Sequence, residues 1–209
     1  MNDFLTGARA GPVHRAGAVA WARGLLERTD WCIVDVETTG LEARAEIVQL
    51  GALAPDATVL LDTLVRPTRP IPADATRLHG ITDAMVADAP AFADAYARLR
   101  AAVGNRRIVA YHAAFDRKML RAQRAAANAA RNGLARLNNP WDCAMERYAA
   151  FWGEWNDRYG SFRWQSLDAA CAQQRIARAA RHTAIDDCRA TLRALARTAL
   201  IRAMARAEP

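Results

Sequence analysis

The feature that most constrains this chain is a short apolar run, Trp31-Cys32-Ile33-Val34, that continues into Asp35-Val36-Glu37. It is too short for a buried helix and is apolar at successive positions, so it reads as a central strand. Asp35 and Glu37 stand two residues apart at its end. Residues i and i+2 of a strand point to the same face. Two carboxylates sharing a buried face lose hydration and repel each other unless something positive lies between them. A metal ion meets that need. A strand end at which both acids simply reach water meets it equally.

The neighbouring segments extend the pattern. Strands are predicted over 46–54 and 58–65, joined by Pro55-Asp56-Ala57 as turn chemistry, which makes a hairpin. A rigid Pro-rich loop follows, then short helices over 74–78 and 83–87, the second capped by Thr82. An amphipathic helix is predicted over 91–103, ending at Gly104, before a fourth strand at 107–111. A long helix over 114–131 stops at Asn132-Gly133. A fifth short strand is expected near 134–137, and helices over 142–151, 167–174 (capped by Ser166) and 183–207, with 153–165 as a loop. This order predicts an α/β fold: a mixed five-stranded sheet, with an antiparallel hairpin and parallel additions, flanked by helices. Residues 1–30 form an N-terminal extension whose helix spans 16–28, and residues 31–209 the main domain.

Composition narrows the function classes. The formal net charge is +7 with a pI near 9.9, compatible with a polyanionic partner. Lys118 is the only lysine, so the basic charge is arginine, and the Ala and Arg excess reads as GC-rich coding bias. Cys32, Cys143, Cys171 and Cys188 lack metal-finger spacing and read as reduced thiols of a cytoplasmic protein. No stretch has the apolar length of a secretory signal or a membrane span, so no membrane partner is expected.

The context of the acids sharpens the reading. Asp35-Val36-Glu37-Thr38-Thr39-Gly40-Leu41 is followed by Glu46-Ile47-Val48-Gln49-Leu50-Gly51. Further on come Pro70-Ile71-Pro72, Leu78-His79-Gly80-Ile81-Thr82-Asp83, Tyr111-His112-Ala113-Ala114-Phe115-Asp116 and His182-Thr183-Ala184-Ile185-Asp186-Asp187. In this order the stretches resemble the DEDDh 3′–5′ exonucleases, the group that includes the proofreading subunit of bacterial DNA polymerase III, ribonuclease T and oligoribonuclease. The resemblance runs from about Trp31 to about Leu195 and implies a ribonuclease H-like fold. His112 departs from it, because many members carry Asn there. A satisfied buried histidine is the expectation at that position.

The resemblance implies that Asp35, Glu37, Asp116 and Asp187 hold two divalent ions, Mg2+ or Mn2+. Oxygen donors suit both metals. It implies His182, five residues before Asp187, as the general base. Asp186 lies about 100° round the helix from Asp187 and is expected to face solvent or cap the helix. Thr38, Thr39, Leu41, His79 and Phe115 are the candidate substrate contacts, with Leu41 wedging against the last base or lying as an ordinary half-buried leucine. The partner implied is a nucleic acid with a free 3′ end, expected to be single-stranded; DNA and RNA stay open.

Two segments keep two readings each. Tyr148, Phe151, Trp152, Trp155, Tyr159, Phe162 and Trp164 alternate with arginines, either as a stacking surface for a strand or as aromatics packed on the domain. Arg175, Arg178 and Arg181 lead into the His182 motif, either lining the strand's path or as an exposed connection. The N-terminal helix is expected to pad the sheet or to form a homodimer. A binding module without chemistry and a polymerase-docking subunit are the competing functions. The first is disfavoured by the full set of acids, the second by a chain that ends soon after its last helix.

Overall fold

The computed structural model describes residues 12–42, 44–129, 133–178 and 182–200. Its centre is a five-stranded sheet in the order β3-β2-β1-β4-β5. β1 (Trp31–Thr38), β2 (Ile47–Leu53) and β3 (Val59–Leu64) form an antiparallel meander. β4 (Arg107–Ala110) and β5 (Trp141–Cys143) add on the other side, parallel to β1. The mixed sheet expected from the sequence is therefore present.

Alternation along β1 sorts the two faces. Trp31 and Ile33 join one core with α1 (Pro12–Leu26), α6 (Ala144–Trp152), α7 (Leu167–Gln173) and α8 (Ala184–Leu200). Cys32, Val34 and Val36 join the opposite core with α4 (Phe92–Val103) and α5 (Ala113–Ala129). The odd-numbered series continues through Asp35 and Glu37, so both acids fall on the α8 face. α2 (Ala73–His79) and α3 (Asp83–Val86) close a smaller cluster around Val48 and Ile81. α1 packs on α8 and α6.

Most boundaries match the sequence reading within a few residues. Thr82 Oγ1 accepts the Met85 N–H at 3.4 Å, and Ser166 Oγ accepts the Ala169 N–H at 3.1 Å, as their capping roles require. Gly104 ends α4 at a φ of 52°, where a Cβ is disfavoured. The fifth strand needs correction. Residues 134–137 form no strand, and β5 lies at Trp141–Cys143 instead. Leu134 and Leu137 pack against the α4–α5 core, so their burial is not that of a strand. The loop expected over 153–165 contains a small hairpin, β6 (Trp155–Asn156) with β7 (Ser161–Phe162). The ends of the predicted helices 114–131 and 183–207 fall outside the described residues.

Gly51 fixes how α8 meets the sheet. A Cβ there would lie 2.8 Å from the Ala184 carbonyl carbon, a backbone atom that cannot yield alone. Gln49 completes the junction: its Oε1 accepts the Ala184 N–H at 3.1 Å, while its Nε2 donates to Asp62 at 2.9 Å. Gly51→Ala is expected to push the start of α8 off the sheet at a cost of about 1–3 kcal/mol. Thermal melting checks this, with a fall of roughly 2–4 °C for each kcal/mol. An unchanged melting temperature would show that α8 is not seated through this contact.

Candidate active site

Three elements bring the four acids together. β1 supplies Asp35 and Glu37, the first turn of α5 supplies Asp116, and the first turn of α8 supplies Asp187. Carboxylate oxygens of Asp35, Glu37 and Asp187 all lie within 4.8 Å of one another. Asp116 is buried beside them, its Oδ1 accepting the Val36 N–H at 3.2 Å. Both helices point their N-termini at the cluster, an arrangement that favours negative charge.

The electrostatics show that these acids are short of positive charge. Burial first, and then the Asp116, Glu37 and Asp187 charges, push Asp35 well above the usual carboxylate range. Burial and the Asp187 and Asp116 charges push Glu37 up to about 8. Burial pushes Asp116 up to about 7, against backbone hydrogen bonds from its own and the Val36 amide. Arg178 lowers both β1 acids but does not restore either.

Arg178 is the internal counter-charge. Its Nη1 donates to Asp187 Oδ1 at 2.8 Å and its Nε to Asp168 Oδ1 at 2.8 Å. Its Nη2 lies 2.7 Å from His182 Nδ1. A guanidinium only donates, so His182 Nδ1 accepts and its proton sits on Nε2, which lies 3.6 Å from Asp168 Oδ2. His182 Nδ1 is also 3.5 Å from Asp187 Oδ2. His182 thus stands beside the carboxylate cluster with its basic nitrogen turned toward it. Asp186 turns away, exchanging hydrogen bonds with Thr183 at 2.8 and 3.2 Å and pairing with Arg189.

The other expected contacts divide. Leu41, four residues after Glu37, is 76% exposed. Phe115 is half-buried, its ring nearly parallel to His112 at 6.1 Å. Thr38 and Thr39 are buried and hold the turn: Thr38 Oγ1 donates to the Gly40 carbonyl at 2.7 Å, and Thr39 Oγ1 accepts the Glu46 N–H at 2.9 Å. His79 is only 2% exposed. Its Nδ1 accepts the Ile81 N–H at 3.0 Å, which leaves the proton on Nε2, near the Thr38 backbone.

His112 is half-buried between Phe115 and Trp164, the latter at 5.6 Å, rather than enclosed as expected. The aromatic segment splits. Tyr148 and Phe151 are core, Trp155 packs edge-on to Phe162 at 5.1 Å, and Tyr159 and Trp164 stay exposed. Arg175 lines a different cavity with Arg193 and Arg197, and Arg181 lies outside the described residues. Gln49, Gly51 and Asp168 position the site yet were not singled out from the sequence. The first two lie inside a quoted motif, whereas Asp168 follows the Ser166 cap without any signal of its own.

The described geometry has known counterparts. The family model described as Exonuclease matches residues 32–195. This chain belongs to the exonuclease family. An uncharacterized exonuclease of Escherichia phage 186 is 36% identical over 165 residues, which is 78% of this chain and 84% of that one. A DNA polymerase III subunit epsilon-like protein of Rhodobacter capsulatus is 42% identical over 114 residues, 51% of this chain but 16% of that protein. Among solved structures, Exonuclease X in complex with 5′-overhanging duplex DNA matches with a TM-score of 0.55 and 25% identity, over 78% of this chain and 89% of that one. The sheet and its helices have the ribonuclease H-like architecture of these exonucleases, enzymes that hydrolyse nucleic acids. Among the described residues no helix is long and apolar enough to cross a membrane.

The raised carboxylates predict how this exonuclease responds to pH. Folded Glu37 and Asp116, at about 8 and about 7, hold protons more tightly than unfolded acids at 4.5 and 3.8. Their contribution to stability is full below about pH 4 and is lost as pH rises through about 7 to 8. Metal-free protein in chelator is therefore expected to melt lower at about pH 8 than at about pH 6. Glu37→Gln should raise the metal-free melting temperature at neutral pH by roughly 2–4 °C per kcal/mol relieved. Melting that rises between those two pH values would refute the charge shortage.

Proposed function

We propose that this exonuclease removes nucleoside monophosphates from the 3′ end of a nucleic acid by metal-assisted hydrolysis. The observation that carries the reading is the convergence of Asp35, Glu37 and Asp187 within 4.8 Å, with His182 beside them. The donor set consists of carboxylate oxygens, several of them charged only at a cost, which fits a hard divalent cation. Asp35, Glu37 and Asp187 would hold one such ion and Asp116, with Asp35, a second, Mg2+ or Mn2+ in each place. Bound there, the ions supply charge neutralisation of the phosphate and a more acidic attacking water.

The chain's own residues perform the rest. His182 accepts the proton of the attacking water at Nδ1, once Arg178 has withdrawn from that nitrogen. Nε2–H stays directed toward Asp168, which holds the ring in place. Leu41, exposed four residues after Glu37, meets the terminal base, and the Thr38–Gly40 turn presents backbone to the terminal sugar. Phe115 borders the next position.

DNA is the favoured substrate, because Exonuclease X, of known structure, holds duplex DNA whose 5′ strand overhangs, leaving the 3′ end recessed. Association with a polymerase is the second reading, favoured by the 42% identity to the epsilon-like protein. The four cysteines are free thiols, in keeping with a reducing cytoplasm.

Degradation of 3′- and 5′-end-labelled DNA and RNA strands, with Mg2+, Mn2+ or chelator, tests the proposal. Wild-type protein is expected to release mononucleotides from the 3′ end only with metal, and Asp35→Ala to lose roughly a thousandfold or more in rate. Cleavage from the 5′ end, or none by folded wild-type protein with metal present, would overturn it.

A further inference from the structure

α5 carries a second charged feature beyond Asp116. Arg117, Arg121 and Arg124 are spaced four and three residues apart, which places them on one stripe of the helix. The stripe starts one residue after Asp116 and runs about 10 Å along the axis from Arg117 to Arg124. It borders a cavity of about 270 Å³ that Arg136 and Asn138 enclose from the other side, with Tyr96 and Trp141 among its walls. An adjoining cavity of about 360 Å³ shares Arg136 and Asn138 and adds Arg100. Five arginines thus surround one concave surface.

Coding bias explains abundant arginine but not the gathering of five around cavities whose lining holds no acid. Arg28, Arg69, Arg107, Arg163, Arg178 and Arg189 each form a salt bridge. Among the described residues, none of the five groove arginines does, and no Asp or Glu lines either cavity. The groove wall is also fixed in place. Arg124 Nη1 and Asn128 Nδ2 donate to the Leu134 carbonyl at 3.1 and 3.0 Å, and the Tyr96 hydroxyl donates to the Ala135 carbonyl at 3.1 Å. Asn139 Nδ2 donates to the Gly104 and Arg106 carbonyls at 2.9 and 2.7 Å. A small anion would answer one or two of these guanidinium groups. A chain of phosphates answers all of them, and the guanidinium fork suits phosphate oxygens.

We propose that this groove binds the phosphodiester backbone of the nucleic acid upstream of the 3′ end held at the carboxylates. The site rests on the nuclease reading for its ligand but is separate from the reacting atoms. Its role is to hold long substrates, through contacts that are charge-based and indifferent to sequence.

The test is the triple variant Arg100→Gln, Arg121→Gln, Arg136→Gln. It removes three exposed guanidinium groups while keeping Arg117, next to Asp116, and Arg124, which holds Leu134. One probe is the p-nitrophenyl ester of thymidine 5′-monophosphate, too small to extend from the carboxylates into the groove. The other is a fluorescent DNA strand of about 20 nucleotides, longer than one small domain covers, titrated in chelator between about 50 and 200 mM salt. The variant is expected to hydrolyse the ester at the wild-type rate. Its affinity for the strand should fall about tenfold, and its salt slope should become shallower by about 2, three phosphate contacts at about 0.7 each. Wild-type affinity and slope in the variant would overturn the groove and leave the catalytic reading standing. Failure of wild-type protein to turn over the ester would count against the catalytic reading alone, because the binding titration decides the groove either way.

Discussion

Carboxylates held within 4.8 Å of each other repel strongly unless protons, an arginine or a metal ion stand among them. That repulsion is the constraint around which this molecule is arranged. β1 can carry two acids on one face only because its preceding residues, Trp31 to Val34, are fully buried on both faces and anchor the strand. The acids are therefore held by the sheet and cannot move apart into water. Asp116 is fixed by the Val36 amide, and Asp187 by the seating of α8 on Gly51 and Gln49. Each of these contacts joins segments far apart in sequence, so the cluster exists only when the whole sheet is formed.

Much of this was legible in the sequence, and the failures share a physical origin. Strands β1 to β4 carry runs of apolar residues bounded by turn chemistry, α3 and α7 carry the caps Thr82 and Ser166, and α4 the glycine stop Gly104. Those signals are local, and they hold. β5 has three residues, too few for any period, and it is a strand because Ile108 to Ala110 offer it a parallel ladder. Leu134 and Leu137 looked like a strand because they are apolar, but they fill the gap between α4 and α5. The β6–β7 pairing is two residues long on each side and equally invisible.

The acids of the site were readable because a strand end and two helix starts each hold a motif. Arg178 and Asp168 were not, at least in their roles. Arg178 falls in an arginine-rich stretch where any member looks alike, and only the fold selects the one that reaches Asp187, Asp168 and His182. Asp168 looks like an ordinary first-turn acid of α7 and becomes a partner of His182 only through tertiary approach. His79 shows the reverse case. Its motif position suggests contact with substrate, while its side chain is enclosed in the core and accepts the Ile81 N–H.

The balance of charge at the cluster explains why these elements converge here. Two helix N-termini and one guanidinium act to lower the acids' proton affinity, and backbone amides reinforce this at Asp116. Burial and mutual repulsion act in the opposite direction and prevail at Asp35, Glu37 and Asp116. Arg178 cannot close the gap, because its single charge is divided between Asp187 and the exposed Asp168 and its third donor is spent on His182. More arginine would crowd the site without adding charge where the oxygens meet. A divalent cation carries twice the charge in a far smaller volume and accepts several carboxylate oxygens at once. The same chain places five arginines, none in a salt bridge among the described residues, around the α5 groove, where phosphates rather than carboxylates are the fitting anion. Positive charge is thus scarce where the acids converge and in excess along the same helix, an arrangement suited to a polyanion whose end lies at the first and whose backbone follows the second.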